Sequence, residues 1–277
     1  IPVSLSAPSV HTLYRSRLRL DGALVVGLSQ SGESPDINLV LEACRKRGAY
    51  TLGITNEPRS TMVGLVDECW FVHAGRERSV AATKTYTGQL MMLYLLAWAL
   101  GGRIEPQTLA RMPDHVERVL RLRGQVESLV ERYRFIQQAV VVGRGLNYSN
   151  AYELALKLME TCYVVTERFS SADFLHGPIA LIESSFPVFV FAPPGPTLQG
   201  QRAILKRLAA LKADTLVLSS EPFGKMATRQ IRMPRVEDLY SPIPYIIPGQ
   251  IFAALLARAK GINPAAPRQL TKVTKTI

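Results

Sequence analysis

Cysteine is scarce in this chain of 277 residues, which contains Cys44, Cys69 and Cys162. The three lie far apart among apolar residues, so their spacing indicates neither a disulfide framework nor a metal site. Free thiols are typical of a reducing cytoplasm, and we therefore expect a cytoplasmic protein. Metal-ligand spacing is also missing among the histidines, so we expect neither a metal nor another cofactor. The histidines are His11, His73, His115 and His176.

Long apolar runs are missing too. The longest, Leu90–Leu100, is about half as long as the roughly 20 residues that a helix needs to cross a bilayer. It predicts a buried helix instead. The sequence also opens without the basic and apolar pattern of a secretory signal. We therefore expect no membrane partner and no export.

Charge of one sign is in excess, because 33 lysines and arginines face 22 acidic residues and give a net charge of +11. A nucleic-acid-binding protein would show basic residues along one stripe, interleaved with aromatic residues. Here they are scattered over predicted helices, at 45–47, 118–123 and 202–212. We expect a solvated basic surface that attracts anionic metabolites, and no nucleic-acid partner.

Apolar runs rich in Val, Leu and Ile alternate with helical patterns along the chain. Strands are predicted at 1–5, 23–28, 50–55, 69–73, 139–145, 163–169, 186–192 and 214–219. Helices are predicted at 35–47, 80–100, 113–138, 147–162, 198–211 and 248–260. This alternation predicts the α/β class, with parallel sheets covered by helices on both faces.

Two α/β units of similar size predict a duplicated fold. The end of the first unit is predicted from the helix-breaking residues Gly101, Gly102 and Pro106. We predict two tandem doubly wound parallel-sheet domains, over 1–110 and 139–277, joined by a helical connector at 111–138.

A serine-rich segment, SQSGESPD, begins at Ser29, directly after the second predicted strand. Ser34 suits a helix N-cap and Pro35 the first helical position. Such a helix start leaves backbone N–H groups unpaired, and Ser29, Ser31 and Ser34 add three hydroxyl donors. A turn that only caps its own helix needs one serine, so we favour a phosphate site at the carboxyl end of the strand.

A second group of polar residues lies on the helix predicted for NYSNAYELALKLMETC, residues 147–162. Glu153, Lys157 and Glu160 follow at i, i+4 and i+7 and share one face. An ordinary surface ion pair would explain Glu153 and Lys157 equally well.

His176 precedes Gly177 and Pro178 between two apolar stretches. It is either a core histidine with satisfied hydrogen bonds or a group that transfers protons, and the residues alone favour the core. With a phosphate loop in the same chain, the second reading gains weight. Proton transfer between C1 and C2 of a sugar needs a carboxylate base, a ring-opening group and a cation. Glu160, His176 and a tail lysine, Lys272 or Lys275, would supply that set.

Four ordered motifs, SQSGESPD, ELALKLME, HGPIALI and PRQLTKVTKT, resemble the sugar isomerase (SIS) family. The likeness is strongest to the double-SIS isomerase half of glutamine–fructose-6-phosphate aminotransferases and to relatives without a glutaminase. Those relatives include glucosamine-6-phosphate deaminases and fructoselysine-6-phosphate deglycases. The segment ERSVAATKTYT, residues 77–87, resembles the branch without a glutaminase. The resemblance implies two SIS-type, flavodoxin-like domains.

The resemblance also implies a role for each matching residue. Glu160 is similar to the C1/C2 base and His176 to a ring-opening residue that reaches the site of the neighbouring subunit in a homodimer. Lys272 resembles the tail lysine that contacts the carbonyl carbon of the sugar. Residues that would bind the phosphosugar are Ser29, Gln30, Ser31, Ser34, Val80 (through its backbone), Glu153 and Lys157.

Two departures from the family pattern shape our expectations. The first SIS domain of the family begins with a strand and a Gly-Thr/Ser-Ser loop, which the printed sequence does not contain before Ile1. We expect that this N-terminal stretch was lost through truncation, processing or disorder. The printed sequence also contains no glutaminase domain, so glutamine is not the expected nitrogen donor within it.

The main hypothesis is an enzyme that converts a glucosamine-6-phosphate-like substrate to the ketose phosphate and ammonia. A fructosamine-phosphate deglycase, or an aminotransferase half that works with a glutaminase on another chain, would use the same residues. A regulator that binds sugar phosphates without turnover is the alternative from another class. Glu160, His176 and Lys272 together favour the enzyme.

Overall fold

Parallel strands build two separate sheets in the computed structural model, which describes residues 1–14, 16 and 19–270. The chain forms two compact units. The first is built on Ile1–Ile104 and the second is Glu105–Pro267. This arrangement agrees with the α/β class and the parallel sheets predicted from the sequence.

The first unit contains a three-stranded sheet in the order β1-β2-β3, with all pairs parallel. Its elements are α1 (Pro8–Thr12), β1 (Leu24–Ser29), α2 (Pro35–Arg45), β2 (Tyr50–Thr55), α3 (Thr61–Leu65), β3 (Glu68–Phe71) and α4 (Lys84–Ala99).

Apolar side chains cover both faces of this sheet. On one face Leu41 of α2 and Met62 of α3 are buried against the strands. On the other face Leu52 and Ile54 of β2 pack against Met92 of α4. Burial on both faces explains why these strands read as near-continuous apolar runs in the sequence.

The second unit contains a five-stranded parallel sheet in the order β5-β4-β6-β7-β8. Three helices come first: α5 (Pro106–Ala110), α6 (Met112–Leu120) and α7 (Arg123–Val130). They are followed by β4 (Gln138–Gly143), α8 (Tyr148–Cys162), β5 (Val165–Ser170), α9 (Ser171–Leu175), β6 (Pro187–Phe191), α10 (Leu198–Ala210), β7 (Asp214–Ser219), β8 (Arg229–Arg232) and α11 (Pro242–Ala259).

Helix α11 is the centre of one layer of the second unit, because it contacts α6, α7 and α8. Its Phe252 meets Tyr133 and Phe189 of β6, with ring centroids 5.4 and 5.2 Å apart. All three rings are almost completely buried. The helical segment that the sequence suggested as a connector thus packs inside this unit.

Several elements differ from the sequence predictions. The single helix predicted at 113–138 is wrong, because two helices, α6 and α7, occupy 112–130. The short helices α1, α3, α5 and α9 were not predicted. The strand predicted at 1–5 is wrong: the chain is irregular there and its apolar side chains are exposed, since no strand of the described part pairs with it. The last helix begins at Pro242 rather than Pro248, which lies inside it. The short strand β8 was missed because its sequence, RQIR, contains one apolar residue and therefore no apolar run. Charged residues are typical of such edge strands.

None of the helices described in the structure is both long and apolar enough to span a bilayer. The apolar run Leu90–Leu100 lies largely in α4, as a helix of the first unit.

We expect Phe252→Ala to destabilise the second unit by about 3–5 kcal/mol, because it removes a ring packed against two others and leaves a cavity. Urea unfolding measures the change. Phe135→Ala is the matched control, since that ring is 82% exposed, and it should cost less than about 0.5 kcal/mol. Equal losses for both variants would contradict this view of the core.

Candidate functional site

The predicted phosphate loop connects β1 to α2 and is shaped by its own serines. The Ser29 hydroxyl accepts a hydrogen bond from the Gly32 N–H at 3.0 Å, and the Ser31 hydroxyl accepts one from the Glu33 N–H at 3.2 Å. A hydroxyl that accepts a bond keeps its own hydrogen for another acceptor. Both serines therefore hold the loop and retain a donor for a ligand.

Ser34 occupies the N-cap position of α2, as predicted, but its side chain makes no capping bond. Pro35 follows at the first helical position and carries no N–H. The Ser34 hydroxyl is thus not used in capping, and the first turn of α2 keeps the partial positive charge of a helix N-terminus.

Gly32 is required by both the conformation and the packing of this loop. Its φ is +64°, in the left-handed region that favours glycine. A Cβ there would overlap the side chain of Ser60. The carbonyl of Gly32 accepts hydrogen bonds from the Asn38 amide at 3.0 Å and the Met62 N–H at 3.1 Å.

The carboxyl end of β2 supports the same loop. The N–H of Asn56 donates to the carbonyl of Gln30 at 3.2 Å, and the half-buried Gln30 is thereby fixed at the loop. The Asn56 side chain accepts from the Ala74 N–H and donates to the Gly75 carbonyl. Asn56 therefore connects the serine loop to the segment that leads from β3 to α4.

Glu77 organises that segment, which also contains Val80. One oxygen of the buried Glu77 carboxylate accepts from the Thr83 N–H at 3.0 Å and from the Thr85 N–H at 2.8 Å. It also accepts from the Thr85 hydroxyl. Burial alone would raise the pKa of Glu77, but these hydrogen bonds outweigh it and the pKa is lowered. The carboxylate caps α4 and holds the half-buried Val80 in a defined loop.

In the second unit, α8 brings Glu153, Lys157 and Glu160 together, as the spacing predicted. The Lys157 ammonium lies 2.7 Å from Glu160 Oε2 and 3.9 Å from Glu153 Oε1. The side chains of Lys157 and Glu153 are 7% and 6% exposed, whereas Glu160 is 25% exposed. Burial excludes the ordinary surface ion pair.

Helix α11 lies beside these three residues, Glu153, Lys157 and Glu160, which we call the charge triad. The Gln250 amide donates to Glu153 Oε1 at 3.0 Å. Glu160 Oε2 accepts from Lys157, while Glu160 Oε1 has no hydrogen-bond partner among the described residues. The arrangement therefore presents one carboxylate oxygen, on a partly exposed side chain, beside a buried ammonium group.

A buried amide network fixes the start of α8. The Asn147 amide donates to the Ser241 hydroxyl at 2.7 Å, and the Asn150 amide donates to the Asn147 side chain and to the carbonyl of Pro242. Ser241 and Pro242 lie at the start of α11. The two helices are thus tied together at their N-terminal ends, which keeps the charge triad opposite Gln250.

His176 follows α9 and is exposed, which excludes the core histidine that its apolar neighbours alone had favoured. Its backbone N–H donates to the carbonyl of Asp173 at 3.1 Å. Lys272 and Lys275 lie outside the described residues. A cleft of about 580 Å³ in the second unit is lined by residues 194–196 and 235–239, and by none of the predicted site residues.

Sequence reasoning missed three residues that shape these sites: Glu33, Glu77 and Gln250. The contact between Glu77 and Thr85 could not be predicted, because an irregular loop separates the two residues and their spacing fits neither a helix nor a strand. Gln250 lies on another helix from its partner, a contact that only the fold reveals. The one available signal for Glu33 was a carboxylate inside the otherwise uncharged stretch 29–34. Among the described residues, no cluster of histidine, cysteine or carboxylate side chains could hold a metal ion.

A family model described as SIS domain matches residues 15–99 and 136–257. Among curated proteins, the chain is 35% identical over 258 residues to the glutamine–fructose-6-phosphate aminotransferase of Pyrococcus horikoshii. That alignment covers 90% of this chain and 43% of the relative. The chain thus spans less than half the length of this relative.

The fold also occurs in solved structures of other proteins. The C-terminal domain of the glucosamine–fructose-6-phosphate aminotransferase from Francisella tularensis superimposes with a TM-score of 0.87 at 26% identity, over 96% of this chain and 79% of that one. A glucosamine-6-phosphate deaminase from Thermotoga maritima gives a TM-score of 0.80 over 97% of this chain and 80% of that one. Its identity of 20% supports the fold alone.

Glu77→Gln should make the stability of the protein less dependent on acid pH. The folded pKa lies below the ordinary value of 4.5, so the carboxylate stabilises the fold fully above that pH and loses this contribution as the pH falls through the folded pKa. Unfolding measured from about pH 7 to about pH 3 should show a smaller loss for the variant than for wild type. Glu42→Gln, on α2, should keep the wild-type slope; a Glu77→Gln curve parallel to wild type would contradict the assignment.

Lys157→Met should destabilise the second unit by about 3–5 kcal/mol, because it leaves two carboxylates without their buried cation. Chemical unfolding measures the loss. Adding Glu153→Gln to the same chain should restore part of it, since one of the two negative charges is removed. Strictly additive losses would show that the charges do not interact.

Proposed function

Because this chain belongs to the SIS domain family, we propose that it is a cytoplasmic sugar-phosphate isomerase with two tandem SIS-type domains, acting on an amino-sugar phosphate. The reaction proceeds by ring opening and proton transfer between C1 and C2. The observation that carries the proposal is the Glu160 carboxylate held at 2.7 Å from the buried Lys157 ammonium.

The phosphate of the substrate is bound at the loop from Ser29 to Ser34. A phosphate dianion finds suitable donors in the hydroxyls of Ser29, Ser31 and Ser34 and at the N-terminus of α2. The Ser34 hydroxyl is available because it makes no capping bond. Gln30 supplies a further polar contact. The loop achieves this without a lysine or arginine of its own.

Glu160 is the base that moves the proton. Its Oε1 has no partner among the described residues, so it is open to a C–H bond of the open-chain sugar, while Oε2 stays fixed by Lys157. A base held in place by a neighbouring cation needs little reorganisation when the enediolate forms. The family resemblance assigns Glu153 and Lys157 to the substrate as well, and the backbone of Val80 to the sugar.

His176 opens the sugar ring in the site of a second subunit, which makes the active species a homodimer. Its exposure supports this role, because a side chain that serves a partner must reach beyond its own core. The resemblance of the tail to the family assigns Lys272 to the carbonyl carbon of the sugar. An ammonium there would stabilise the developing negative charge. The deprotonated amine would instead add to the carbonyl carbon and form a Schiff base with loss of water.

The finer proposal is a deaminating isomerase, which adds water to glucosamine 6-phosphate and releases the ketose phosphate and ammonia. A second candidate function is favoured by the similarity to glutamine–fructose-6-phosphate aminotransferases. The chain matches 43% of the length of the Pyrococcus relative. In this second candidate the chain is the isomerase half of such an enzyme and receives ammonia from a glutaminase. A fructosamine-phosphate deglycase remains the third reaction open to the same residues.

A regulator that binds sugar phosphates without turnover would need only the serine loop. It would have no use for a carboxylate kept beside a buried ammonium, an arrangement that is costly when either partner is lost. This cost favours the enzyme.

Glu160→Gln should lower kcat by about 10²–10⁴-fold and leave phosphosugar binding nearly unchanged, because the amide keeps the shape but cannot accept the proton. The assay follows conversion of glucosamine 6-phosphate to ketose phosphate. Glu127→Gln, on the exposed surface of α7, is the matched control and should behave as wild type. A Glu160→Gln enzyme with full turnover would remove Glu160 from the mechanism.

The same assay separates the candidate reactions when the substrate is varied. Ammonia release from glucosamine 6-phosphate or galactosamine 6-phosphate supports the deaminase. Release of lysine from fructoselysine 6-phosphate supports the deglycase, and synthesis of amino sugar from fructose 6-phosphate and ammonium supports the aminotransferase half. Binding without any turnover would support the regulator.

A further inference from the structure

Glu33 places a negative charge inside the segment that we propose as the phosphate site. The eight residues SQSGESPD contain a second acidic residue, Asp36 in the first turn of α2, and no lysine or arginine that would balance the two charges. A carboxylate turned towards the ligand would repel a phosphate dianion. The direction of this side chain therefore decides whether the loop works as an anion site.

The Glu33 carboxylate binds Thr61 through both of its oxygens. Oε1 accepts a hydrogen bond from the Thr61 N–H at 2.8 Å, and Oε2 accepts one from the Thr61 hydroxyl at 2.7 Å. Both oxygens are thus engaged by the first residue of α3. Hydrogen bonds to an ionised acceptor are stronger than bonds between neutral groups.

We propose that Glu33 is a positioning residue, whose carboxylate clamps the serine loop onto the start of α3 and fixes its donors at the spacing that a phosphate needs. The inference rests on the proposed function, because it assigns a task to the phosphate site. Glu33 acts through its bonds to Thr61 and not through contact with the substrate.

The packing beneath the loop shows why a clamp matters at this point. The Cα of Gly32 lies against the buried Ser60 side chain, with no room for even one added carbon. The Met62 N–H donates to the Gly32 carbonyl at 3.1 Å. Residues 60–62 thus form a continuous support for the loop, and Glu33 is the loop side chain that bonds to it.

Amide hydrogen exchange on the full chain without ligand tests the clamp itself. Glu33→Ala should speed exchange in peptides that cover Ser29–Ile37 and Thr61–Leu65, and leave the second unit unchanged. Glu57→Ala is the matched control, because its exposed carboxylate lies in the same β2–α3 connection but pairs only locally, with Arg59. Unchanged exchange in Glu33→Ala would overturn the clamp.

Phosphate binding tests the purpose of the clamp. For Glu33→Ala we expect the inhibition constant of inorganic phosphate and the KM of the phosphosugar to rise by about tenfold or more, with kcat within about threefold of wild type. Glu33→Gln keeps the shape and an acceptor for the Thr61 N–H, so it should restore most of the affinity. A structural defect alone would lower kcat and the amount of folded protein without this selective change in KM.

The two assays separate the failure of this inference from the failure of the proposed function. Wild type that binds neither inorganic phosphate nor any phosphosugar would overturn the proposed phosphate site, while exchange still reports on the clamp. If wild type binds phosphate and Glu33→Ala binds it with equal affinity, only the positioning role of Glu33 is overturned.

Discussion

The side chain of Lys157 on α8 is only 7% exposed, and two carboxylates of the same helix flank its ammonium group. Removing an ammonium from water is costly, and the two flanking carboxylates offset this cost. Gln250 of α11 holds Glu153, and the buried amides at the start of α8 fix the helix on α11. The geometry of Glu160 follows from this constraint.

In the first unit, hydrogen bonds rather than a buried charge pair hold the serine loop between β1 and α2. Parallel register puts the carboxyl ends of β1 and β2 side by side, and the Gln30 carbonyl meets the Asn56 N–H there. Asn56 then reaches the segment after β3, which Glu77 fixes from its other end. Asn56 and Glu77 thus hold two loops of the first unit, the serine loop and the segment from β3 to α4.

Much of the fold could be predicted from the spacing of apolar residues in the sequence. Strands buried on both faces appear as continuous apolar runs, whereas amphipathic helices place apolar residues three or four positions apart. Strand β2 and strand β7 have the predicted bounds, whereas β8 and the strand predicted at 1–5 show where pattern fails. A run such as IPVSL is apolar enough for a strand, but pairing depends on a neighbour that local sequence does not reveal. The charge triad was predictable because its members share one helix. Its partner Gln250 was not, since 97 residues separate it from Glu153.

The central claim is that Glu160 moves a proton between C1 and C2 of a bound phosphosugar. The most direct measurement is proton NMR of the enzyme turning over a hexose 6-phosphate in D2O. The account predicts that solvent deuterium enters at the carbon that gains the proton, C1 of the ketose or C2 of the aldose, because a carboxylate base exchanges its proton with water. Turnover that leaves both carbons free of deuterium would contradict it and point to direct hydride transfer between them.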